Sequence, residues 1–340
     1  MDSLTDWLSG KTFSRTIILM DNNTLKHCLP IVRNDFHVSA GQITIQPGEN
    51  SKGLDTAVQV WSQLLEMDAD RNALIVNLGG GMISDLGGFC AATYKRGISF
   101  INIPTTLLAM VDAAIGNKTG INIGPYKNQV GLFAKADEVF IDPVFLKTLP
   151  ERELVAGFAE VLKYGLIANY ELWEDLKDAY PKNITDWQSI IDTCIIMKKE
   201  IVKADPKEKG QRKVLNFGHT FGHAFESYSL ENDKIPLLHG EAVAMGMVAA
   251  AWLSYEKAGL SAHDLDEIST AIQSRFKINN SKKMDIDLVF EYMQKDKKNK
   301  DNEIRFVLLK KIGSPVYDIK CSYEEISRAL DYYYSSVQSA

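Results

Sequence analysis

The stretch NALIVNLGGGMISDLGG, residues 72–88, reads as an apolar strand that runs into Gly79, Gly80 and Gly81 and then opens a helix. Glycines at that turn let the backbone approach a pyrophosphate, and a helix N-terminus favours negative charge. The spacing is not GxGxxG. A tight strand-to-helix turn with no ligand explains the glycines equally well. Asp85 is expected in the first turn of the helix, where the helix dipole suits a carboxylate.

Working outward, strand and helix signals alternate. RTIILMD (15–21) and QITIQPGEN (42–50) read as strands, LDTAVQVWSQLLEM (54–67) as a helix, and ISFINIPTT (98–106) as a further strand. This alternation predicts an α/β domain with a doubly wound, Rossmann-like parallel sheet. After Pro150 helical spacing dominates, so the chain is divided into an α/β domain, 1–150, and a mainly α-helical domain, 151–340. Near the end IRFVLLKKIGSPVYDIK reads as a hairpin followed by an amphipathic helix, and KDKKNKDNE (295–303) as a charged loop.

The formal net charge of the 340-residue chain is -6, which argues against a general nucleic-acid or anionic-membrane binder. Any basic cluster is then local and aimed at a specific anion. Cys28, Cys90, Cys194 and Cys321 lie far apart with no CxxC, as expected for thiols in a reducing compartment. The N-terminal residues show no basic segment leading into an apolar one, and AVAMGMVAAAWL (242–253) is too short to span a bilayer. A cytoplasmic enzyme is the expectation.

Several segments carry candidate chemistry. PGENSK (47–52) follows a strand end, where Glu49 and Lys52 could reach a ribose. DAAIGNKTGINIGPYKNQVG (112–131) reads as a long loop with Asp112, Lys118, Lys127 and Asn128 among glycines, a setting suited to phosphate or carboxylate or, more blandly, to solvated lysines. Glu160 and Lys163 stand three apart among apolar and small residues, so they share a helix face that is expected to be buried. A buried carboxylate needs a cation, and a metal or a lysine would serve.

LNFGHTFGHAFE (215–226) wraps on a helical wheel into stripes of Phe217, Phe221 and Phe225, of Gly218 and Gly222, and of His219 and His223. Two glycines inside a helix cost about 1 kcal/mol each relative to alanine, so close approach by a ligand or another backbone is the expected reason. The competing reading is core packing with hydrogen-bonded histidines. His239 opens a following helix with Glu241 in its first turn. Glu160, His239 and one of His219 or His223 make a plausible zinc set from three helices.

GGGMISDLGGFCAATYKRG, IPTTLLAMVDAAIGNKTGIN, YKNQVGLF, LPERELVAGFAEVLKYGLI, LNFGHTFGHAFE and HGEAVAMGM together resemble the 3-dehydroquinate synthase family, in order, over residues 15–320. The resemblance implies an N-terminal NAD-binding domain, a helical metal-bearing domain and an active site in the cleft between them. It implies conversion of 3-deoxy-D-arabino-heptulosonate 7-phosphate to 3-dehydroquinate and phosphate. The steps would be transient oxidation by NAD, phosphate elimination, reduction, ring opening and aldol closure.

Carried onto this chain, the resemblance makes Glu160, His219 and His239 the ligands of a divalent metal, Zn or Co. His223 falls on the proton-handling histidine. With it, Lys163, Asn216 and Asp112 match catalytic positions. Lys118, Lys127, Asn128, Lys198, Arg212 and Lys297 match substrate-binding positions, and Arg96 an arginine that reaches the phosphate across a homodimer interface. Glu49, Lys52, Gly81, Asp85, Thr105, Thr106 and Thr148 match NAD contacts. Asn117 stands where the family usually has glycine, a change that a left-handed backbone tolerates. A sibling sugar-phosphate cyclase, a metal-dependent polyol dehydrogenase and a non-enzymatic binding protein are the rival readings. The first is disfavoured by Lys198, Arg212, Asn216 and His223, the second by the number of anion-binding residues, and the third by Glu160 and the histidines.

Overall fold

The structure, a computed structural model, describes residues 2–36, 40–124, 126–276, 283–295 and 304–339. Lys297 and residues 296–303 of the charged stretch lie outside the described residues. The chain divides into two compact units. One comprises Met1–Pro150 with Trp187–Ile195, the other Glu151–Asp186 with Ile196–Ala340.

The first unit is built on a five-stranded parallel sheet of order β2-β1-β3-β4-β7. Its strands are β1 (Thr16–Asp21), β2 (Gly41–Ile45), β3 (Leu74–Gly79), β4 (Ser99–Pro104) and β7 (Glu138–Val139). The apolar runs noted above become strands covered on both faces: every residue of β3 is buried, and β1 and β4 expose little. β1 pairs with β2 on one side and β3 on the other, so the strand order reverses there. Beyond the carboxyl ends of strands at such a point, α/β sheets hold their ligands. β3 delivers Gly79–Gly81 to that edge, and β2 is followed by the turn Glu49–Ser51. β2 is shorter than expected, because Gln46–Asn50 leave the sheet.

Residues 112–131 are not the long loop expected. They fold mostly into an antiparallel ribbon of β5 (Lys118–Ile123) and β6 (Tyr126–Phe133). Gly124 turns the chain at φ +56, and Asn117 enters the ribbon at φ +60, in the left-handed region. The alternation of apolar residues is weak here because Ile123, Val130, Leu132 and Phe133 are exposed.

The second unit is mainly helical, with an antiparallel hairpin of β8 (Arg305–Lys311) and β9 (Ser314–Lys320). In helix Glu151–Ala168 every residue from Val155 to Ile167 is buried, including Glu160 and Lys163. Helix His239–Lys257 is apolar nearly all round, which suits an element covered on all sides. Helices Glu151–Ala168, His219–Asn232, Ala262–Gln273 and Tyr323–Ser339 and strand β8 pack on it. No helix among the described residues is long and apolar enough to cross a membrane.

Candidate active site

Glu160, His219 and His239 come together from three helices, with one donor atom from each lying within 4.8 Å of the others. His219 is the first residue of helix His219–Asn232 and His239 the first of helix His239–Lys257. The wheel drawn from sequence needs correcting. Gly218 caps the helix at φ +78, so Phe217 and Gly218 precede it rather than lie within it. The glycines serve helix packing: a Cβ on Gly222 would stand 3.0 Å from Val243 Cα, and one on Gly218 2.9 Å from Met247 N. At the next contact a Cβ on Gly240 would stand 1.8 Å from Ala156 O, one turn before Glu160.

Proton positions follow from the partners of each ring. His219 Nδ1 lies 3.2 Å from Phe217 O, which can only accept, so Nδ1 carries the proton and Nε2 a lone pair. His239 Nδ1 lies 2.9 Å from a Glu226 carboxylate oxygen, which assigns its Nε2 a lone pair in the same way. Both Nε2 atoms face Glu160 Oε1, at 3.4 Å and 3.6 Å. Glu160 is fully buried, and neither of its oxygens receives a hydrogen bond of ordinary geometry.

Three electron-rich atoms thus face one another, two from buried side chains and one from the half-buried His239. Donors held at about 2.0–2.2 Å by a tetrahedral zinc lie roughly 3.3–3.6 Å apart, and the two distances from Glu160 Oε1 to the imidazole nitrogens fit that spacing. Burial opposes ionisation of Glu160, but the Lys163 ammonium, paired with Oε2, holds its carboxyl well below the usual range. Burial first, and then Lys163, pushes His219 down to about 4, so its ring is neutral and able to ligate at pH 7.

Other residues singled out from sequence lie in the same unit. His223 sits one turn after His219, its ring centroid 5.4 Å from that of His219 and 5.9 Å from that of His239. Lys198 and Arg212 are buried. Arg212 is presented by a loop that Asp205 closes, accepting from the N–H groups of Lys209, Gly210 and Arg212 at 3.0, 2.6 and 3.2 Å. Those bonds, the Gly210 one foremost, hold the Asp205 carboxyl below its usual range. Asn216 donates to Glu208 Oε1 at 2.6 Å. Glu208 and Glu226 were not picked out as site residues from sequence. Glu226 was detectable, because it lies seven residues after His219 and shares its helix face. Glu208 was not, since only the closed loop brings it to Asn216.

In the first unit a second cluster forms near the glycine turn. Lys52 Nζ donates to Asp85 Oδ2 at 2.6 Å and to Asn128 Oδ1 at 2.5 Å. Asp85 is therefore partnered by a lysine, and as the fifth residue of helix Gly81–Thr93 it falls just beyond the first turn where it was expected. Burial raises its carboxyl pKa, and Lys52 opposes that. Glu49 Oε1 accepts from Asn122 at 2.9 Å and pairs with Lys127 Nζ at 3.1 Å. Residues matched above to NAD contacts (Glu49, Lys52, Asp85) and to substrate contacts (Lys127, Asn128) thus form one network.

Thr105 N donates to Gly79 O at 3.0 Å, and both Thr105 and Thr148 hydrogen-bond the Cys28 thiol. Gly79 and Gly81 are also demanded by packing, and Gly80 is tightly packed. A Cβ on Gly79 would stand 2.6 Å from Ile83, on Gly80 3.0 Å from Thr106, and on Gly81 2.9 Å from Ala113. Asp112 lies in the helical turn Ala109–Ala113, and Lys118 is exposed at the start of β5. Arg96 is exposed just past the far end of helix Gly81–Thr93, roughly 20 Å from the glycine turn at 1.5 Å per residue.

A parallel-sheet unit, a helical unit and a cluster of two histidines and a glutamate define a class of two-unit proteins with the donor set for a divalent metal. A family model described as 3-dehydroquinate synthase N-terminal matches residues 42–156, and one described as 3-dehydroquinate synthase C-terminal matches 157–299. The chain belongs to the 3-dehydroquinate synthase family. It is 42% identical to the 3-dehydroquinate synthase of Parabacteroides distasonis over 336 residues, covering 98% of this chain and 95% of that one.

Among solved structures, 2-epi-5-epi-valiolone synthase from Streptomyces hygroscopicus, with NAD+ and Zn2+ bound, is 26% identical at a TM-score of 0.84. That match covers 94% of this chain and 91% of the other. A 2-deoxy-scyllo-inosose synthase complexed with carbaglucose-6-phosphate, NAD+ and Co2+ is 26% identical at a TM-score of 0.82, covering 96% and 94%.

Proposed function

We propose that this protein converts 3-deoxy-D-arabino-heptulosonate 7-phosphate to 3-dehydroquinate and phosphate, using NAD and a divalent metal, Zn or Co. The observation that carries the metal reading is the convergence of His219 Nε2, His239 Nε2 and Glu160 Oε1 with both Nδ1 atoms already committed to acceptors. A cation held by Glu160, His219 and His239 would polarise a substrate hydroxyl, and NAD would supply a hydride acceptor and donor for its carbon.

The chain's own residues do the rest. Lys163 neutralises Glu160 and, with Lys118, Lys127, Asn128, Lys198, Arg212 and Lys297, holds the substrate carboxylate and phosphate in one reactive conformation. An imidazole nitrogen of His223, one turn beyond His219, takes and returns protons, with Asn216 and Asp112 orienting the ring hydroxyls. Glu49, Lys52, Gly81, Asp85, Thr105, Thr106 and Thr148 hold the dinucleotide. Arg96 reaches the phosphate bound by a second copy, so the working form is a homodimer.

Identity of 42% to a curated 3-dehydroquinate synthase, against 26% to the two solved cyclases with other products, favours the heptulosonate phosphate as substrate. Dialysis against a chelator tests the metal role. Phosphate release should be abolished and then restored by Zn2+ or Co2+. Full activity in demonstrably metal-free protein overturns it.

A further inference from the structure

We propose that Glu226 is a positioning residue for His239: its carboxylate fixes the orientation and tautomer of that imidazole and so sets the affinity of the metal centre. The inference rests on the metal reading above. Glu226 lies on helix His219–Asn232, seven residues after His219 and on the same face. Its side chain is buried, and Oε2 lies 2.9 Å from His239 Nδ1. The two nitrogens of the ring therefore face two different buried carboxylates, Glu226 at Nδ1 and Glu160 at Nε2.

The two contacts differ in kind. At 2.9 Å the Glu226 contact is a charge-assisted hydrogen bond, and at 3.6 Å the Glu160 contact is not a hydrogen bond. The Nδ1 proton is consequently held by Glu226, and Nε2 presents its lone pair towards Glu160. A carboxylate on the remote nitrogen also makes the ring a stronger electron-pair donor at Nε2.

His219 meets the same need differently, through the neutral Phe217 carbonyl. Glu226 thus adds a negative charge to only one of the two histidines, the less buried one, whose side chain is 23% exposed against 8% for His219. A second tether acts on the backbone. Arg152 binds both oxygens of Glu241 at 2.7 Å and Pro236 O at 2.9 Å, which ties the start of helix His239–Lys257 to helix Glu151–Ala168. That tether fixes where His239 begins but leaves its ring to rotate about the side-chain bonds, and the rotation is what Glu226 restrains.

The test is the affinity of the full-length, metal-stripped protein for Zn2+, read by competition with a chromogenic chelator, alongside the visible spectrum of the Co2+ form. E226A is expected to bind Zn2+ about 10- to 100-fold more weakly than the parent, with an altered Co2+ spectrum, a change that a purely structural role would not produce. E226Q, which keeps an acceptor but loses the charge, is expected in between, and it decides the matter if E226A does not fold.

Parent-like affinity and spectrum in the folded variant overturn the proposal. So does a lowered metal-free midpoint with the Co2+ spectrum unchanged, which is the signature of a purely structural carboxylate. H219A, which lacks a donor atom, separates the two readings. If H219A loses Zn2+ while E226A keeps it, only the role of Glu226 falls. If both keep it at parental affinity, the metal site itself is wrong and the inference falls with it.

Discussion

Gly246 and Gly218 meet with no room for a side chain: a Cβ on Gly246 would stand 2.1 Å from Gly218 O. The contact joins the cap that precedes His219 to the helix that His239 opens. Gly246→Ala forces that contact apart and is expected to destabilise the protein by about 1–3 kcal/mol, the usual cost of overpacking. It should also weaken Zn2+ binding, because His219 and His239 move with the two elements. Urea unfolding and metal titration check this. A variant with parental stability and affinity would show that the helices have slack the geometry denies.

His219 and His223, one turn apart on helix His219–Asn232, are expected to fail differently. His219→Ala should lose stoichiometric metal and activity together. His223→Ala should retain one metal per chain and lose about 10²- to 10⁴-fold in kcat, the range for a general acid–base residue. Metal analysis of both purified variants decides it. Loss of metal from the His223 variant would mean that the roles are divided wrongly.

Lys52 is buried, and its ammonium is held by Asp85 and Asn128. Asp85→Ala leaves that ammonium without its nearest carboxylate, and a cost of about 1–3 kcal/mol follows from stranding a polar group. If the network also holds the dinucleotide, the KM for NAD rises while the metal content stays at the parental value. An unchanged KM for NAD would confine Lys52 and Asp85 to a structural role.

Burial pushes the thiols of Cys90 and Cys321 up to about 12. In the unfolded chain a cysteine ionises near about 8.5. Between those values the unfolded chain has lost the proton that the native state keeps. Stability that is fully present below about pH 8.5 is therefore lost progressively as pH rises towards 12. The thermal midpoint should fall from pH 8 to pH 10, less steeply in Cys90→Ala, and the native protein should resist iodoacetamide at pH 8. Rapid alkylation of Cys90 in the native state would contradict this.

Legibility in the sequence followed physical type. β1, β3 and β4 are apolar on both faces and stood out as unbroken runs. Glu160 and Lys163 showed themselves as lone charges in an apolar helix. The β5–β6 ribbon did not, because exposed Ile123, Val130, Leu132 and Phe133 blur the alternation and the pairing is carried by the backbone. The histidine wheel began two residues too early because Gly218 is a left-handed cap, a conformation that glycine permits and spacing does not reveal. The joining of Glu49, Lys52 and Asp85 with Lys127 and Asn128 depends on that ribbon folding back, so spacing alone left them in separate sets.

The central claim is a reaction that borrows a hydride and gives it back. The most direct measurement follows inorganic phosphate and NADH absorbance together while the protein turns over excess 3-deoxy-D-arabino-heptulosonate 7-phosphate with catalytic NAD and Zn2+ or Co2+. One phosphate per substrate consumed and no net NADH are expected. NADH accumulating in step with substrate loss, or no phosphate release at all, would contradict it.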